Sequence, residues 1–560
     1  MNWMKNFLFE DMEWDGRGGS VIKLLGSLFA NVWAFLMLAV FPLYAPDRYF
    51  GLGDHKFRFF LYCSVICLIP ALVLLSAGWC VETAAGQSKK TAAERSKKTA
   101  AGQSKKMAVW IRNNLSPLDL AVLCYLAAAA VSWACSNYRQ AAWIGAEGWF
   151  MGLRTQLLLA TAYFCLSRSY LAKKILLAGH IFGSGAACLF GVLHRFLVDP
   201  LGMYEGISES YYLEFLSTVG QATWFSSYVC TVLVIGIAFF FLAKKTYVRV
   251  LWGMYCMLGF ATVVTQNSDS AFLAMGALFL GLFCAACRRM DWMERYLETM
   301  ILMLGSFKIV GILQQVFAKR AIQLDGISVF FAQSTETWLA LLAVAVLYMT
   351  FLGYRMKHEN LQTFPFGRGL SGTAIVLGVL AAAGYGLTVW ANTTGKLPVQ
   401  MQHQYLLFDE AWGNYRGLIW KVAALMFSQM NVLQKWIGAG PDCFQEYCYR
   451  DPVWSDMLNS VFGNGQVVTN AHNEFLNVLI CLGMLGLLAF LAILATAAGR
   501  FLGAFCCKRD FDPLVLAGGL AVLTYCAHNF FCYQQVCCTP YLFLILAMAE
   551  NRMRSKKWQF

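Results

Sequence analysis

The sequence predicts an all-α polytopic membrane protein, with about fourteen transmembrane helices and a large extracytoplasmic loop before the last three spans. Three observations predict it. The 560 residues are 59% hydrophobic and only 13% charged, with mean hydropathy +0.54, whereas a soluble domain is nearer a quarter charged. The apolar residues form long unbroken runs of roughly the 20 residues a helix needs to cross a bilayer, not the alternation of a membrane barrel. The basic residues gather in every second connection between runs, which is the pattern of cytoplasmic loops.

In chain order the runs lie near 23–45, 57–79, 117–135, 150–167, 175–197, 222–243, 250–267, 270–287, 296–317, 334–353, 369–390, 472–497, 512–530 and 539–550. The first twenty residues are mixed polar and aromatic, so the first run reads as a retained span rather than a cleaved signal. With the N-terminus inside, the cytoplasmic connections are 80–116, 167–174, 244–249, 288–291, 354–357 and the one holding Lys508 and Arg509, and every one is basic. The tail adds Arg552, Arg554, Lys556 and Lys557, which places both ends in the cytoplasm. The opposite connections are neutral or acidic, as in 198–219 with Asp199, Glu205, Glu209 and Glu214. This placement accounts for the net charge of +13 and argues against nucleic acid as a partner. Within 80–116, Thr83–Lys90, Thr91–Lys98 and Thr99–Lys106 repeat T-A-A-x-x-S-K-K. Over 80–110 this reads as a solvated, disordered basic linker, with contact to anionic lipid headgroups as the alternative. Most of the twenty cysteines sit inside apolar runs, as Cys63 and Cys67 do, where cysteine behaves as a small hydrophobe. No paired C-x-x-C motif, D-x-D motif in the loop or P-loop occurs, which argues against structural zinc, a metal-dependent nucleotide-sugar site and ATP hydrolysis.

The chain thus divides into a membrane domain over 1–390, an extracytoplasmic loop over 391–471, and three closing spans with a basic tail over 472–560. The loop is about eighty residues long but rich in aromatics, among them Tyr405, Phe408, Trp412, Trp420, Phe444, Tyr447 and Trp454. That composition predicts a folded segment. Residues 415–430 have helical periodicity, with Leu418, Ile419, Val422, Leu425 and Met426 on one stripe and Asn414 placed to cap the start. Arg416 falls in the first turn, off that stripe. It is either a fork for two phosphate oxygens at a helix start or a surface partner of Asp409 or Glu410. Gly438, Gly440 and Pro441 mark a tight turn, open either to a ligand or to nothing. His472 and Glu474 open an apolar helix, where a neutral imidazole suits a general base and an interfacial polar cap is the alternative. Cys443 and Cys448 are spaced for an optional disulfide, and Cys532, Cys537 and Cys538 lie near the last outside turn.

The order Arg416-x-x-x-Trp420, then Gly438-x-Gly440-Pro441 with Phe444, then His472-Asn473-Glu474-Phe475-Leu476 and Gly483-x-x-Gly486-Leu487-Leu488 resembles the O-antigen ligase-like family of glycan ligases, polymerases and protein O-glycosyltransferases. The resemblance is sharpest over 412–490. Two upstream stretches are also similar to family motifs, 220–228 and 265–271, although Asp269 stands where the family carries arginine, with Arg154 or Arg195 as the substitute. The resemblance implies a metal-independent glycosyltransferase, without cofactor, in the cytoplasmic membrane of a bacterium. It implies a polyprenyl-pyrophosphate-linked glycan as donor and a glycan, lipid or protein hydroxyl as acceptor. It assigns catalysis to His472, Arg416 and Glu474, and substrate binding to Asn473, Trp420, Gly438, Gly440, Arg154, Arg195 and Asp269. A transporter or flippase for lipid-linked glycans is the alternative, although the chain lacks the internal symmetry many transporters carry.

Overall fold

A computed structural model describes residues 18–88, 114–358, 360–403, 405–463, 465–507 and 512–557. The repeat copies at 91–106, together with Lys508 and Arg509, lie outside the described residues. Helices dominate: α1 (Gly18–Phe35), α2 (Leu52–Ser88), α3 (Pro117–Cys135), α4 (Arg139–Ile144), α5 (Leu153–Leu166), α6 (Lys173–Arg195), α7 (Ala222–Leu242), α8 (Thr246–Thr265), α9 (Asp269–Ala286) and α10 (Met290–Val316). They continue with α11 (Gly326–Gln333), α12 (Thr335–Lys357), α13 (Gly367–Thr393), α14 (Trp412–Gln429), α15 (Val432–Ile437), α16 (Phe444–Cys448), α17 (Pro452–Phe462), α18 (Glu474–Cys507), α19 (Pro513–His528) and α20 (Thr539–Lys557). The one short sheet among the described residues pairs Phe215–Leu216 antiparallel with Gly220–Gln221. Each apolar run of the sequence centres on one of these helices, the first run continuing past α1 through a π-helical turn at Leu36–Val40 and a 3-10 turn at Phe41–Leu43. Eleven are long and apolar enough to cross a membrane, so the chain is an all-α, multi-pass membrane protein. The linker begins later than the sequence implies, because α2 continues to Ser88.

Local sequence explains several boundaries. Ser116 and Asp119 form a reciprocal capping box around Pro117 at the start of α3, which satisfies two amides that a helix start leaves bare. Asp512 caps α19 ahead of Pro513 with a single bond, its carboxylate accepting from Leu514 N–H at 2.9 Å. Asn431 and Gln434 build a second capping box, around α15. The helices then sort by surroundings. α7 is central, with 89% of its apolar window buried, whereas α12 and α13 bury 6% and 0%. Their leucine and valine side chains are left to lipid, the only solvent in which so much exposed apolar surface is stable.

One end of the bundle is sealed by charge pairs. Asp119 is fully buried and accepts from Ser116 N–H at 2.7 Å, the Tyr163 hydroxyl at 2.9 Å and Arg168 at 3.1 Å, with Arg554 against the same carboxylate. Arg500 grips Glu550 with a two-pronged fork at 2.9–3.1 Å, and Arg552 reaches Asp512 at 2.8 Å. These pairs tie α20 to α3, α5, α18 and α19. Buried carboxylates are tolerable here because each has a guanidinium partner.

Segment 391–471 carries α14, α15, α16 and α17, and its glycine turn seats on a break in α18. Gly483 interrupts that helix with φ +68°. The carbonyls freed by the break accept from the turn: Ala439 N–H donates to Ile480 O at 3.0 Å and Gly440 N–H to Cys481 O at 2.9 Å. A Cβ on Gly438 would lie 2.2 Å from Cys481 O, and one on Gly483 would lie 2.4 Å from the Trp436 carbonyl carbon. Only glycine permits this approach.

Candidate functional site

At the other end of the bundle, the head of α14, the strand of chain before α18, the α19–α20 turn, the head of α9 and residues 405–409 converge. Arg416 owes its position to an unusual backbone. Gly413, Asn414 and Tyr415 all take left-handed conformations, with φ 60°, 60° and 65°. For the two non-glycine residues this conformation costs on the order of 1 kcal/mol or more each. Asn414 therefore does not cap α14 with its side chain; it lies inside the left-handed stretch, and the right-handed turns begin at Arg416. The stretch is held down by Leu418 N–H donating to Glu410 O at 3.1 Å. It also needs Gly417, where a Cβ would meet Asp409 O at 1.9 Å.

The Arg416 guanidinium is half-buried. One amino group donates to Gly413 O at 2.7 Å, and its centre lies 5.9 Å from the Phe531 ring. Its Nε is buried without a partner. Neither Asp409 nor Glu410 pairs with it; Glu410 takes Lys421 instead, at 2.7 Å. Burial holds the Arg416 pKa below its ordinary value. The carboxylate that acts on it electrostatically is that of Asp269, which already accepts from the Tyr405 hydroxyl. Burial and that bond push the Tyr405 hydroxyl pKa up, so it stays a donor.

His472 is held in a left-handed turn, φ 47°, with its N–H donating to Asn470 Oδ1 at 2.9 Å. Its ring meets Tyr533 edge-on at 5.2 Å. Burial first, then the Arg416 charge, lower its pKa to about 3, so the imidazole is neutral throughout the physiological range. The guanidinium and the imidazole thus share one site, bridged by Phe531 and Tyr533 of the same turn. Trp420 frames it: its indole N–H donates to Ala471 O at 3.1 Å, and its ring stacks on Phe531 at 6.2 Å. Asn473 is the cap of α18, accepting from Leu476 N–H at 3.0 Å. Glu474 is buried below it, with Oε2 accepting from Asn529 at 3.4 Å and its N–H donating to Asn529 O at 3.0 Å.

The remaining predicted residues stand around this centre. Arg195 is fully buried and spends Nε, at 2.7 Å, and one amino group on Thr265 O, while the other amino group has no partner. It borders the loop that carries Asp269. Arg154 lies over Phe57 at 4.8 Å with Nε unpartnered. Gly438 faces the backbone of α18, and Gly440 faces the Ser136 side chain and Ala142. The turn they form also buries Asp442, whose Oδ2 accepts from Ala146 and Met151 N–H groups, each at 2.9 Å. It thereby pins the segment leading to Arg154. Desolvation raises this carboxyl to about 7. Cys443 and Cys448 are both free and buried, as are Cys532, Cys537 and Cys538, so the optional disulfide is absent. Among the described residues, no three His, Cys, Asp or Glu side chains gather as metal ligands.

Sequence reasoning missed Tyr405, Phe531, Tyr533, Asp442 and His528. The run Phe530-Phe531-Cys532-Tyr533 between two apolar stretches was the available signal, because three aromatics in a short outside turn need something to pack against. No protein-family model and no curated protein matches the chain.

Proposed function

We propose that this protein is a fourteen-span glycosyltransferase that moves a glycan from a polyprenyl-pyrophosphate donor to an acceptor hydroxyl on the outer face of a bacterial cytoplasmic membrane. The observation that carries the reading is Arg416: a guanidinium held by a strained backbone, deprived of a carboxylate, beside a neutral imidazole. An unpaired buried cation is costly and is retained where an anion arrives to complete it. A diphosphate leaving group is such an anion, and a planar fork suits its oxygens.

In the reaction, the acceptor oxygen attacks the anomeric carbon and its proton passes to His472. The bond from that carbon to the pyrophosphate oxygen breaks, and the electron pair leaves with the polyprenyl pyrophosphate. Arg416 stabilises the charge growing there, a contribution typically worth 10²–10³-fold in rate. A pKa of about 3 makes His472 a weak base in the empty site. The donor's negative charge offsets Arg416 and raises the imidazole towards useful basicity, so base and leaving group are switched on together. Glu474, Asn473 and Trp420 hold the His472 segment, and Arg195, Arg154 and Asp269 border the path of the donor headgroup.

The test is mass spectrometry of surface glycan and lipid-linked precursor in a deletion strain complemented with His472→Ala. Accumulation of precursor on the outer face, with loss of the transferred product, supports transfer. Precursor trapped on the inner face, or product made at the normal level, overturns it.

A further inference from the structure

His528 ends α19 and is buried to 1% exposure, yet the proposed chemistry does not use it. Its Nδ1 faces Asn529 Oδ1 at 3.3 Å, so a neutral ring carries its proton there. Nε2 then accepts from the hydroxyls of Ser226 at 3.0 Å and Ser270 at 3.1 Å, with Ser226 sharing its proton with Thr223 O at 2.9 Å. Asn529 passes the polarity on, its amide donating to Glu474 Oε2 at 3.4 Å while its carbonyl accepts Glu474 N–H at 3.0 Å. The side-chain relay runs one way, from the Ser270 hydroxyl through His528 and the Asn529 amide to the Glu474 carboxylate, and the Glu474 N–H to Asn529 backbone carbonyl bond closes it from the other side. Ser270 is the neighbour of Asp269, which holds Tyr405, and Glu474 lies two residues beyond His472. One imidazole therefore joins the heads of α7, α9 and α18 beneath Arg416.

Resting on the transfer reading above, we infer that His528 is a positioning residue: through Asn529 it fixes Glu474, and with it the His472 turn, in register with the Asp269–Tyr405 side of the site. A ring with one donor and one acceptor nitrogen can satisfy both neighbours at once, and an apolar residue of like size can satisfy neither. Each buried group left unpaired would then pull its helix end out of place.

The experiment uses the full-length protein in nanodiscs, with a polyprenyl-pyrophosphate-linked glycan as probe. For His528→Leu, kcat falls at least 10-fold with KM within twofold of wild type, and His528→Gln, which keeps a donor and an acceptor, recovers most of the loss. In a Glu474→Gln background, His528→Leu removes nothing further, because its route is already cut. Hydrogen exchange of the 470–480 segment is read in parallel and does not depend on activity; His528→Leu accelerates it and His528→Gln does not. Unchanged exchange, an unchanged kcat or a loss that adds fully to that of Glu474→Gln overturns the inference. If wild-type protein transfers no glycan, or Arg416→Ala transfers it normally, the transfer reading fails instead, and the exchange data still decide whether His528 positions this turn.

Discussion

The two ends of this helix bundle treat arginine in opposite ways. At the end where α20 packs against α3, each buried carboxylate has a guanidinium: Asp119 with Arg168 and Arg554, Glu550 with Arg500, Asp512 with Arg552. At the other end Arg416, Arg195 and Arg154 lean on carbonyls and rings, and each keeps a buried nitrogen without a partner. In the first arrangement every guanidinium has a carboxylate, Arg554 Nε included, which lacks a hydrogen bond but lies 3.2 Å from Glu550, and the pairs bind helices together. In the second, Arg416, Arg195 and Arg154 have buried donors left over and, among the described residues, no carboxylate at ion-pair distance. A membrane protein holds unmatched charge only where something else completes it, and on the proposed function that something is the anionic donor headgroup, which would set the second end apart from a purely structural seal.

The contrast can be broken by exchanging the expected outcomes. Arg416→Ala should cut glycan transfer about 10²–10³-fold and leave the thermal unfolding midpoint close to wild type, read by an activity assay beside a melting curve. Asp119→Ala should do the reverse. Stranding Arg168, and leaving Arg554 with Glu550 alone at 3.2 Å, costs about 3–5 kcal/mol, seen as a lower midpoint, while activity per folded molecule stays the same. If Arg416→Ala melts the protein, or Asp119→Ala inactivates the folded fraction, the division between the ends is wrong.

A smaller effect concerns the turn that seats the large loop. Gly438→Ala forces a Cβ towards Cys481 O, at 2.2 Å in the present backbone, and adds a left-handed strain at φ +78°. A loss of about 1–3 kcal/mol follows, together with faster proteolysis within 391–471. Equal stability would mean that the turn and the α18 break are not joined as described.

Asp442 gives the most specific signature, because it appears only as pH changes. Burial raises its pKa from 3.8 to about 7, so between those values the folded protein keeps a proton that the unfolded chain has released. Its contribution to stability is whole below the lower value, is lost as pH rises through the upper one, and stays lost beyond it. Asp442→Asn retains an acceptor for the Ala146 and Met151 amides and cannot ionise. Its midpoint should match wild type near pH 4 and exceed it near pH 8, by about 1–4 kcal/mol in stability at most. His472, held low by burial, pulls the total pH dependence the other way, so variant and wild type are compared at each pH. A constant difference across the range would place Asp442 in water.

Much of the architecture was legible because bilayer thickness writes itself into run length, and the capping residues Ser116 and Asp512 mark their helix starts locally. Three pieces of the site, at Arg416, Gly438 and His472, could be read as chemistry-bearing types at turn and helix-start positions. What could not be read is how they meet. Tyr405 reaches Asp269 across 136 residues, and His528 reaches Ser226 across 302. A periodic pattern names the face a residue is on but not the helix opposite. The left-handed run at 413–415 was hidden for another reason: Asn414 suits a cap and a left-handed turn equally, and only the contact of Gly417 with Asp409 decides between them. The glycines at 438 and 440 looked available to a ligand because a close approach needs glycine whatever approaches. Here it is the backbone of α18 at Gly438, and the Ser136 side chain with Ala142 at Gly440.

The most direct test of the account is release of polyprenyl pyrophosphate from a lipid-linked glycan by the full-length protein in nanodiscs, in the presence of acceptor and a chelator of divalent cations. The account predicts release by wild type, undiminished by the chelator, and loss of at least 100-fold in both Arg416→Ala and His472→Ala. Release at the wild-type rate by either variant would contradict it.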